Sequence, residues 1–261
     1  MKILSWNING IRAAYKNGFL NWFIKCKADI FGVQEIRANF DQIPLSIKKI
    51  SNFYSNFVSS KKKGYSGVAL FSKKQPNLFN NLLGNRLYDD EGRLQVAFFN
   101  NLIIANVYFP NGSGKKNDNS RIPYKLDFYA ALYKHLSVYE KTNKNILVLG
   151  DFNTAHKEID LACPLSNVNS SGFSLIERLE LDRWISCGYV DTFRSFNSYS
   201  GQYTWWSNRK NSRNRNIGWR IDYILASKHA IKYIKDAFIF PNVYGSDHCP
   251  IGVDVDDRIM D

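Results

Sequence analysis

Cysteine is scarce, and what there is forms no pattern. Cys26, Cys163, Cys187 and Cys249 are scattered through 261 residues with no CxxC pair. That excludes a zinc-thiolate site and a disulfide framework, and the thiols are expected to be reduced. Long apolar runs are missing as well. No stretch approaches the roughly 20 apolar residues that a membrane-crossing helix needs, so membrane insertion is not expected. The opening MKILSWNING has no extended apolar core, unlike a secretory signal, and a cytoplasmic location is the expectation. Acidic residues are outnumbered, 23 Asp and Glu against 35 Lys and Arg, which leaves a formal net charge of +12. A basic surplus favours a polyanionic partner, because each Lys or Arg that neutralises a phosphate releases condensed counterions. Nucleic acid leads on that argument, with an acidic membrane surface behind it. No internal linker or repeat interrupts the chain, and its length suits a single domain over residues 1–261, expected to act as a monomer.

Short apolar runs recur at Lys2–Trp6, Ile30–Val33, Val68–Phe71, Leu94–Phe99, Leu102–Val107, Ile146–Leu149 and Ile221–Leu225, each closed by polar residues or glycine. They read as strands. Tyr124–Tyr139 spaces Phe128, Leu132 and Leu136 four apart, and Leu175–Ile185 repeats apolar residues similarly, so both read as amphipathic helices. Leu94–Phe99 and Leu102–Val107, joined by Asn100-Asn101, look like a hairpin. The fold class is therefore α/β with mixed, largely antiparallel sheets. Two loops, Asn111–Pro123 and Ser207–Gly218, carry Lys115, Lys116, Arg121, Arg209, Lys210, Arg213 and Arg215. Singly these charges suit a solvated rim. Clustered beside Tyr203, Trp205 and Trp206, they suit a groove that tracks a phosphate backbone.

Polar residues just beyond strand ends carry the chemistry, because a rigid sheet holds carboxylates and amides at fixed distances around one reacting atom. Six such places stand out: Asn7-Ile8-Asn9, Gln34-Glu35, Asn106 to Asn111 with Tyr108, Asp151-Phe152-Asn153, Trp219 to Tyr223 with Asp222, and Ser246 to Pro250 with Asp247 and His248. Each alone passes for a turn. Together they supply four carboxylates, Glu35, Asp151, Asp222 and Asp247, and one imidazole near neutrality. Oxygen donors in this number suit a hard cation such as Mg²⁺ and not zinc.

SWN, QE, GYSGV at Gly64–Val68, EGR at Glu91–Arg93, NVYFPNG, GDFNTAH with EIDL, GWRIDY and SDHCP follow one another in order. This set resembles the exonuclease III family of apurinic/apyrimidinic endonucleases, over essentially the whole chain. The resemblance implies a four-layer α/β sandwich, two mixed sheets flanked by helices, with the site at one edge. It implies a metal-dependent DNA-repair nuclease that cuts 5′ to abasic sites, with 3′–5′ exonuclease and 3′-end-cleaning activity. The cofactor would be Mg²⁺, with Mn²⁺ able to substitute, and the substrate double-stranded DNA carrying abasic sites or blocked 3′ ends, reached in the nucleoid.

By the same resemblance Glu35 is the main metal ligand, helped by Asn9, where many relatives carry Asp. Asp151 orients or deprotonates the attacking water, with Asn7 and Asn153 as amide partners. His248 paired to Asp222, together with Tyr108, holds the phosphate, and Asp247 either binds metal or protonates the leaving group. A phosphodiester repels anionic nucleophiles, which is why such a site needs a cation, donors on the non-bridging oxygens and one base. Trp205, Trp219 and Ile221 match a pocket for the flipped, baseless sugar; Asn167 and Arg121 complete the substrate contacts. The chain departs from the family at Ser170, where a second Asn is common, and after Pro110, where no intercalating Arg can be assigned. The competing readings are a nuclease or phosphatase on the same fold acting on another phosphoester, and a binding protein that has lost catalysis.

Overall fold

A computed structural model describes residues 1–115 and 118–261, so Lys116 lies outside the described residues. The strands in chain order are β1 (Lys2–Asn7), β2 (Ile30–Gln34), β3 (Tyr54–Val58), β4 (Val68–Ser72), β5 (Leu78–Asn80), β6 (Leu94–Phe99), β7 (Leu102–Tyr108), β8 (Asn145–Asp151), β9 (Val190–Asp191), β10 (Trp205–Trp206), β11 (Gly218–Trp219), β12 (Asp222–Ala226), β13 (Ile234–Ile239) and β14 (Ile251–Val255). The helices are α1 (Ile11–Lys16), α2 (Phe19–Lys25), α3 (Leu45–Lys48), α4 (Arg86–Asp89), α5 (Ile122–Glu140), α6 (Leu175–Ser186) and α7 (Thr192–Phe196).

Two six-stranded sheets form, ordered β13-β14-β1-β2-β4-β3 and β5-β6-β7-β8-β12-β9. Within them β1 with β2 and β7 with β8 run parallel, and the other neighbours are antiparallel. Period-2 alternation sorts the side chains into layers. Ile3, Ile30 and Leu70 point inward and meet Phe99, Ile104 and Leu149 of the second sheet. Their neighbours Leu4, Phe31 and Phe71 point outward against Ile11, Phe19 and Phe23 of α1 and α2. On the opposite outer face Val96, Ile103 and Val148 meet Phe128, Leu132 and Leu136 of α5 and Leu181 and Trp184 of α6. That is the four-layer sandwich. Because the central strands are covered on both faces, they read as continuous apolar runs.

Polar side chains cross the interior near one end and fix the sheets' relative position. Gln34 donates to Ser5 Oγ at 3.0 Å and to Asn106 Oδ1 at 2.7 Å, while Asn106 donates to the Ala69 carbonyl at 2.9 Å. Four longer strands lie outside the runs that the sequence marks: β3, β5, β13 and β14. β3, β5 and β13 are edge strands, where Asn, Ser, Lys and Asp break the apolar pattern; β14 is interrupted by Gly252 and Asp254.

Candidate active site

Parallel pairing brings strand ends to one edge. Asn7 is in register with Gln34, immediately before Glu35, and Tyr108 with Asp151. β12 enters antiparallel, so its first residue, Asp222, also faces Asp151. Asp247 and His248 arrive just ahead of β14. Glu35, Tyr108, Asp151, Asp247 and His248 line a cleft of about 860 Å³, with Asn9, Asn153, Asn167, Trp205, Trp219 and Ile221. Asn7 and Asp222 lie behind its wall, both buried.

Turns at this edge are held in left-handed backbone conformations: Asn9 at φ 47°, Glu35 at 54°, Arg37 at 48° and Asn153 at 50°. Asn tolerates that region, but for Glu and Arg it costs about 1–2 kcal/mol each. Backbone bonds enforce it, from Gly10 N–H to the Glu35 carbonyl at 2.8 Å and from Arg37 N–H to the Ser66 carbonyl at 2.8 Å. Gly150 is needed for a related reason. It sits at φ 144°, and a Cβ there would lie 1.9 Å from the Val107 carbonyl oxygen.

Asn7 joins the two sheets. Its buried amide donates to Glu35 Oε1 at 3.1 Å and to Asp151 Oδ2 at 2.8 Å. His248 Nδ1 lies 2.9 Å from Asp222 Oδ2, and its Nε2 lies 3.8 Å from Asp151 Oδ2. Burial alone would strip the imidazole of its proton, but Asp222 beside it reverses the effect and pushes the pKa up to about 10. Asp151 is also driven up, to about 7, chiefly by burial and further by Asp222, with the His248 cation opposing. Burial and the neighbouring Glu35 push the Tyr108 phenol well above its usual range, which keeps it a donor. Asn153 N–H donates to Asp151 Oδ1 at 2.8 Å, and its side chain to the Phe109 carbonyl at 2.9 Å.

The expected metal residues occupy different situations. Glu35 opens onto the cleft but is already partnered by Arg37, whose Nε donates to Oε2 at 2.6 Å; sequence reasoning missed Arg37, although it stands two residues on in QEIR. Asp247 has both oxygens engaged, by Asn9 Nδ2 at 2.8 Å and Trp205 Nε1 at 3.0 Å. Burial pushes the Asp247 carboxyl up, but His248 and these donors outweigh it and hold it below the ordinary range. Among the described residues, the trio whose ligand atoms lie within 4.8 Å of one another is Asp151, Asp222 and His248. The buried Oδ1 atoms of Asn9 and Asp222 meet no hydrogen-bond donor among the described residues. Asn9 lines the carboxylate-rich cleft, and its oxygen left without a donor fits a hard cation, whereas Asp222 lies behind the wall.

Trp205, Trp219 and Ile221 pack with Leu161 and Phe173 beside this polar group. The Trp205 and Trp219 rings meet edge to face, centroids 6.3 Å apart, and Trp205 lies 6.4 Å from the His248 ring. Behind them the buried Arg220 guanidinium spans Asp160 at 2.7 Å and Asp191 at 2.6 Å. Asn167 lines the cleft and accepts from Ser170 Oγ at 3.2 Å, so the departure at Ser170 is built into the loop.

Several of the basic and aromatic residues singled out in the sequence sit away from the cleft. Arg121 does not line the cleft; it lies 3.4 Å from Glu91 and over the Tyr124 ring. Arg213 is not a free phosphate contact. It stacks between Trp206 and Tyr244 and donates to the carbonyls of Pro241, Val243 and Ser246 at 2.8, 2.6 and 3.0 Å. Tyr203 and Trp206 are core, packed on Cys249. Lys115, Arg209, Lys210 and Arg215 are exposed as expected. Arg93 has no role in the sequence reading beyond its place in EGR, yet its fully buried guanidinium lies 4.6 Å from the Tyr108 ring and donates to the Tyr108 carbonyl at 3.1 Å.

The family model described as Endonuclease/Exonuclease/phosphatase matches residues 4–248. An exodeoxyribonuclease of Bacillus subtilis is 39% identical over 96% of this chain and 98% of its own length. A DNA-(apurinic or apyrimidinic site) endonuclease of Dictyostelium discoideum is 38% identical over 98% of this chain and 71% of its own. Among solved structures, an AP endonuclease from Archaeoglobus fulgidus superposes with a TM-score of 0.88 at 26% identity, covering 98% of this chain and 99% of that one. A 3′ phosphatase from Neisseria bound to product DNA hairpin gives 0.89 at 26% identity, covering 98% and 99%. No helix among the described residues is long and apolar enough to cross a membrane.

Proposed function

The chain belongs to the endonuclease/exonuclease/phosphatase family, and on that footing we propose that it is a DNA-repair nuclease that hydrolyses the phosphodiester 5′ to an abasic site. The same site would trim and clean 3′ ends of double-stranded DNA. One observation carries the reading: Asn7 ties Glu35 to Asp151 beside the His248–Asp222 pair, and this polar group adjoins the Trp205, Trp219 and Ile221 pocket. The chain is taken as one domain, 1–261, acting as a monomer on DNA inside the cell.

Asp151 is the base. Burial raises its pKa toward neutrality, the range in which a general base is most efficient. It takes a proton from water as the water oxygen bonds to phosphorus and the bond to the sugar 3′ oxygen breaks, that oxygen taking its proton from solvent. His248, kept cationic by Asp222, faces a non-bridging oxygen, and the protonated Tyr108 donates to another. Asn7 and Asn153 fix the direction of the Asp151 carboxylate. Asp247 accepts from both Asn9 and Trp205 and so positions them. Glu35 and Asn9 would hold Mg²⁺, with Mn²⁺ able to replace it. Such a cation neutralises charge developing on the phosphate. Trp205, Trp219 and Ile221 admit a baseless sugar and exclude an ordinary nucleotide by size.

The test is incision of a duplex carrying one abasic analogue, against an undamaged duplex and blunt ends, in Mg²⁺, Mn²⁺ or EDTA. Cutting is expected at the analogue first and none in EDTA. Equal cutting of both duplexes, or cutting that survives EDTA, overturns the reading.

A further inference from the structure

Beneath the cleft floor lies an ion pair that the mechanism above does not use. Lys125, in the first turn of α5, and Glu177, in the first turn of α6, are both fully buried, with Nζ 2.6 Å from Oε1. A charge pair shielded from water pays heavily in desolvation, and apolar side chains of similar volume often serve stability as well. Its retention calls for an account in terms of what else the two groups hold.

Each reaches a different wall of the cleft. Lys125 Nζ donates to the carbonyl of Asn153 at 2.6 Å, in the left-handed turn that carries the Asn153 amide to Asp151. Glu177 Oε2 accepts from the Gly172 N–H at 2.8 Å and from Ser174 Oγ at 2.6 Å, and Oε1 from Ser171 Oγ at 3.4 Å. Ser170, Ser171 and Gly172 line the cleft on the side of Trp219. The fit there is tight. Gly172 sits at φ 90°, and a Cβ on it would lie 3.0 Å from the Asn153 carbonyl and 3.2 Å from the Trp219 ring. The loop after β7 closes on the same point, since a Cβ on Gly112 would meet Ser171 Oγ at 2.6 Å and Glu177 Oε1 at 3.1 Å.

We propose that Lys125 and Glu177 are positioning residues that lock the water-activating turn at Asp151–Asn153 to the pocket wall at Ser170–Gly172, so that lesion binding and phosphate attack share one register. The proposal rests on the abasic-endonuclease reading. Neither side chain touches the substrate. Their effect passes through Asn153, whose carbonyl Lys125 fixes, and through Gly172, whose N–H Glu177 fixes. Displacement of a reacting group by about 1 Å costs up to roughly a hundredfold in rate, which sets the scale of the effect.

The experiment measures single-turnover incision of an abasic-analogue duplex by Lys125→Met and Glu177→Gln in the full chain, each first checked by calorimetry. Glu177→Gln preserves shape and an acceptor, and it carries the test if Lys125→Met does not fold. Both variants are expected to lose roughly 10- to 100-fold in the incision rate constant at saturating duplex, with the affinity for an undamaged duplex unchanged. A cycle with Asn153→Ala separates positioning from general loosening. In that background Lys125→Met should cost less than it does in the unaltered protein, because one of the two Asn153 bonds to Asp151, that of the side-chain amide at 3.3 Å, is already gone. Leu136→Ala, a destabilised control in α5 remote from the cleft, should retain the wild-type rate below its melting range. A folded variant that incises at the wild-type rate, or effects of Lys125→Met and Asn153→Ala that simply multiply, overturns the proposal. Absence of incision by the unaltered protein would instead overturn the functional reading beneath it.

Discussion

The two halves of the cleft are made by different physics. On the polar side every group is placed by charge and hydrogen bonds, with Asn7 touching two carboxylates from opposite sheets and His248 wedged between Asp222 and Asp151. On the aromatic side, Trp205 and Trp219 sit on a two-stranded ribbon and meet edge to face, Trp219 also against Phe173, with a single hydrogen bond from Trp205 to Asp247 tying them to the polar side. Hydrogen-bonded carboxylates fix direction, which an attacking water requires; apolar walls fix volume, which is what separates a baseless sugar from a nucleotide. Chemistry and selectivity should therefore be separable by mutation, and each of the following tests that division.

The largest effect belongs to the polar half. Asp151→Asn should keep the fold and DNA binding yet lower turnover at least about a hundredfold, the usual scale for losing a general base. Near-normal incision would remove Asp151 from its role. On the aromatic half, Trp219→Ala should reduce abasic incision by about tenfold through reduced packing area, while cutting at intact nucleotides rises in proportion. A soluble Trp219→Ala protein with unchanged rate and unchanged lesion preference would show the indole to be core alone.

On the exposed rim, alanine at Lys115, Lys210, Arg215 and the cleft-lining Arg209 should flatten the log–log salt dependence of duplex affinity by about one unit for each phosphate that is no longer neutralised. Arg213→Ala should leave that slope alone and lower the melting temperature, because its donors already serve three carbonyls. A slope that Arg213 changes and the other four do not would reverse this assignment. The smallest effect is in stability against pH. The raised pKa of His248 contributes stability that is complete below about 6.5 and lost as pH rises through about 10. Asp222→Asn removes the cause, so the fall in melting temperature between pH 7 and 10 should be shallower than in the unaltered protein. Parallel curves would show that the pair does not hold the proton.

The polar half was legible in the sequence because its residues sit directly beyond apolar runs, where a strand end fixes what the next side chain can reach. Asn7, Glu35 and Asp151 follow that rule, whereas Asp222 opens its strand and His248 precedes β14, so those two were legible only from the motifs around them. The basic residues were not legible in the same way. Lys125, Arg93, Arg213 and Arg220 look in sequence like the surface cations Lys115 or Lys210, since whether a cation meets water or a buried carboxylate depends on which elements dock above it. Trp205 and Trp206 make the point most sharply. They are adjacent and identical, and because successive side chains on a strand point to opposite faces, one lines the cleft while the other is buried on Cys249. Nothing in the dipeptide says which. The partner of Glu35 was hidden for a further reason: Arg37 reaches it only because both residues take left-handed backbone conformations, which no side-chain pattern announces.

Asn7 sits in β1 while the carboxylate it orients, Asp151, ends a strand of the other sheet, and β1 is completed by β14, which follows Asp247 and His248. A chain still emerging from the ribosome therefore has neither its imidazole nor the neighbour on one side of its first strand until the segment from Asp247 through β14 has been made. The site is thus interleaved across both sheets, and a fragment that ends before Asp247 is expected to be unable to cut DNA.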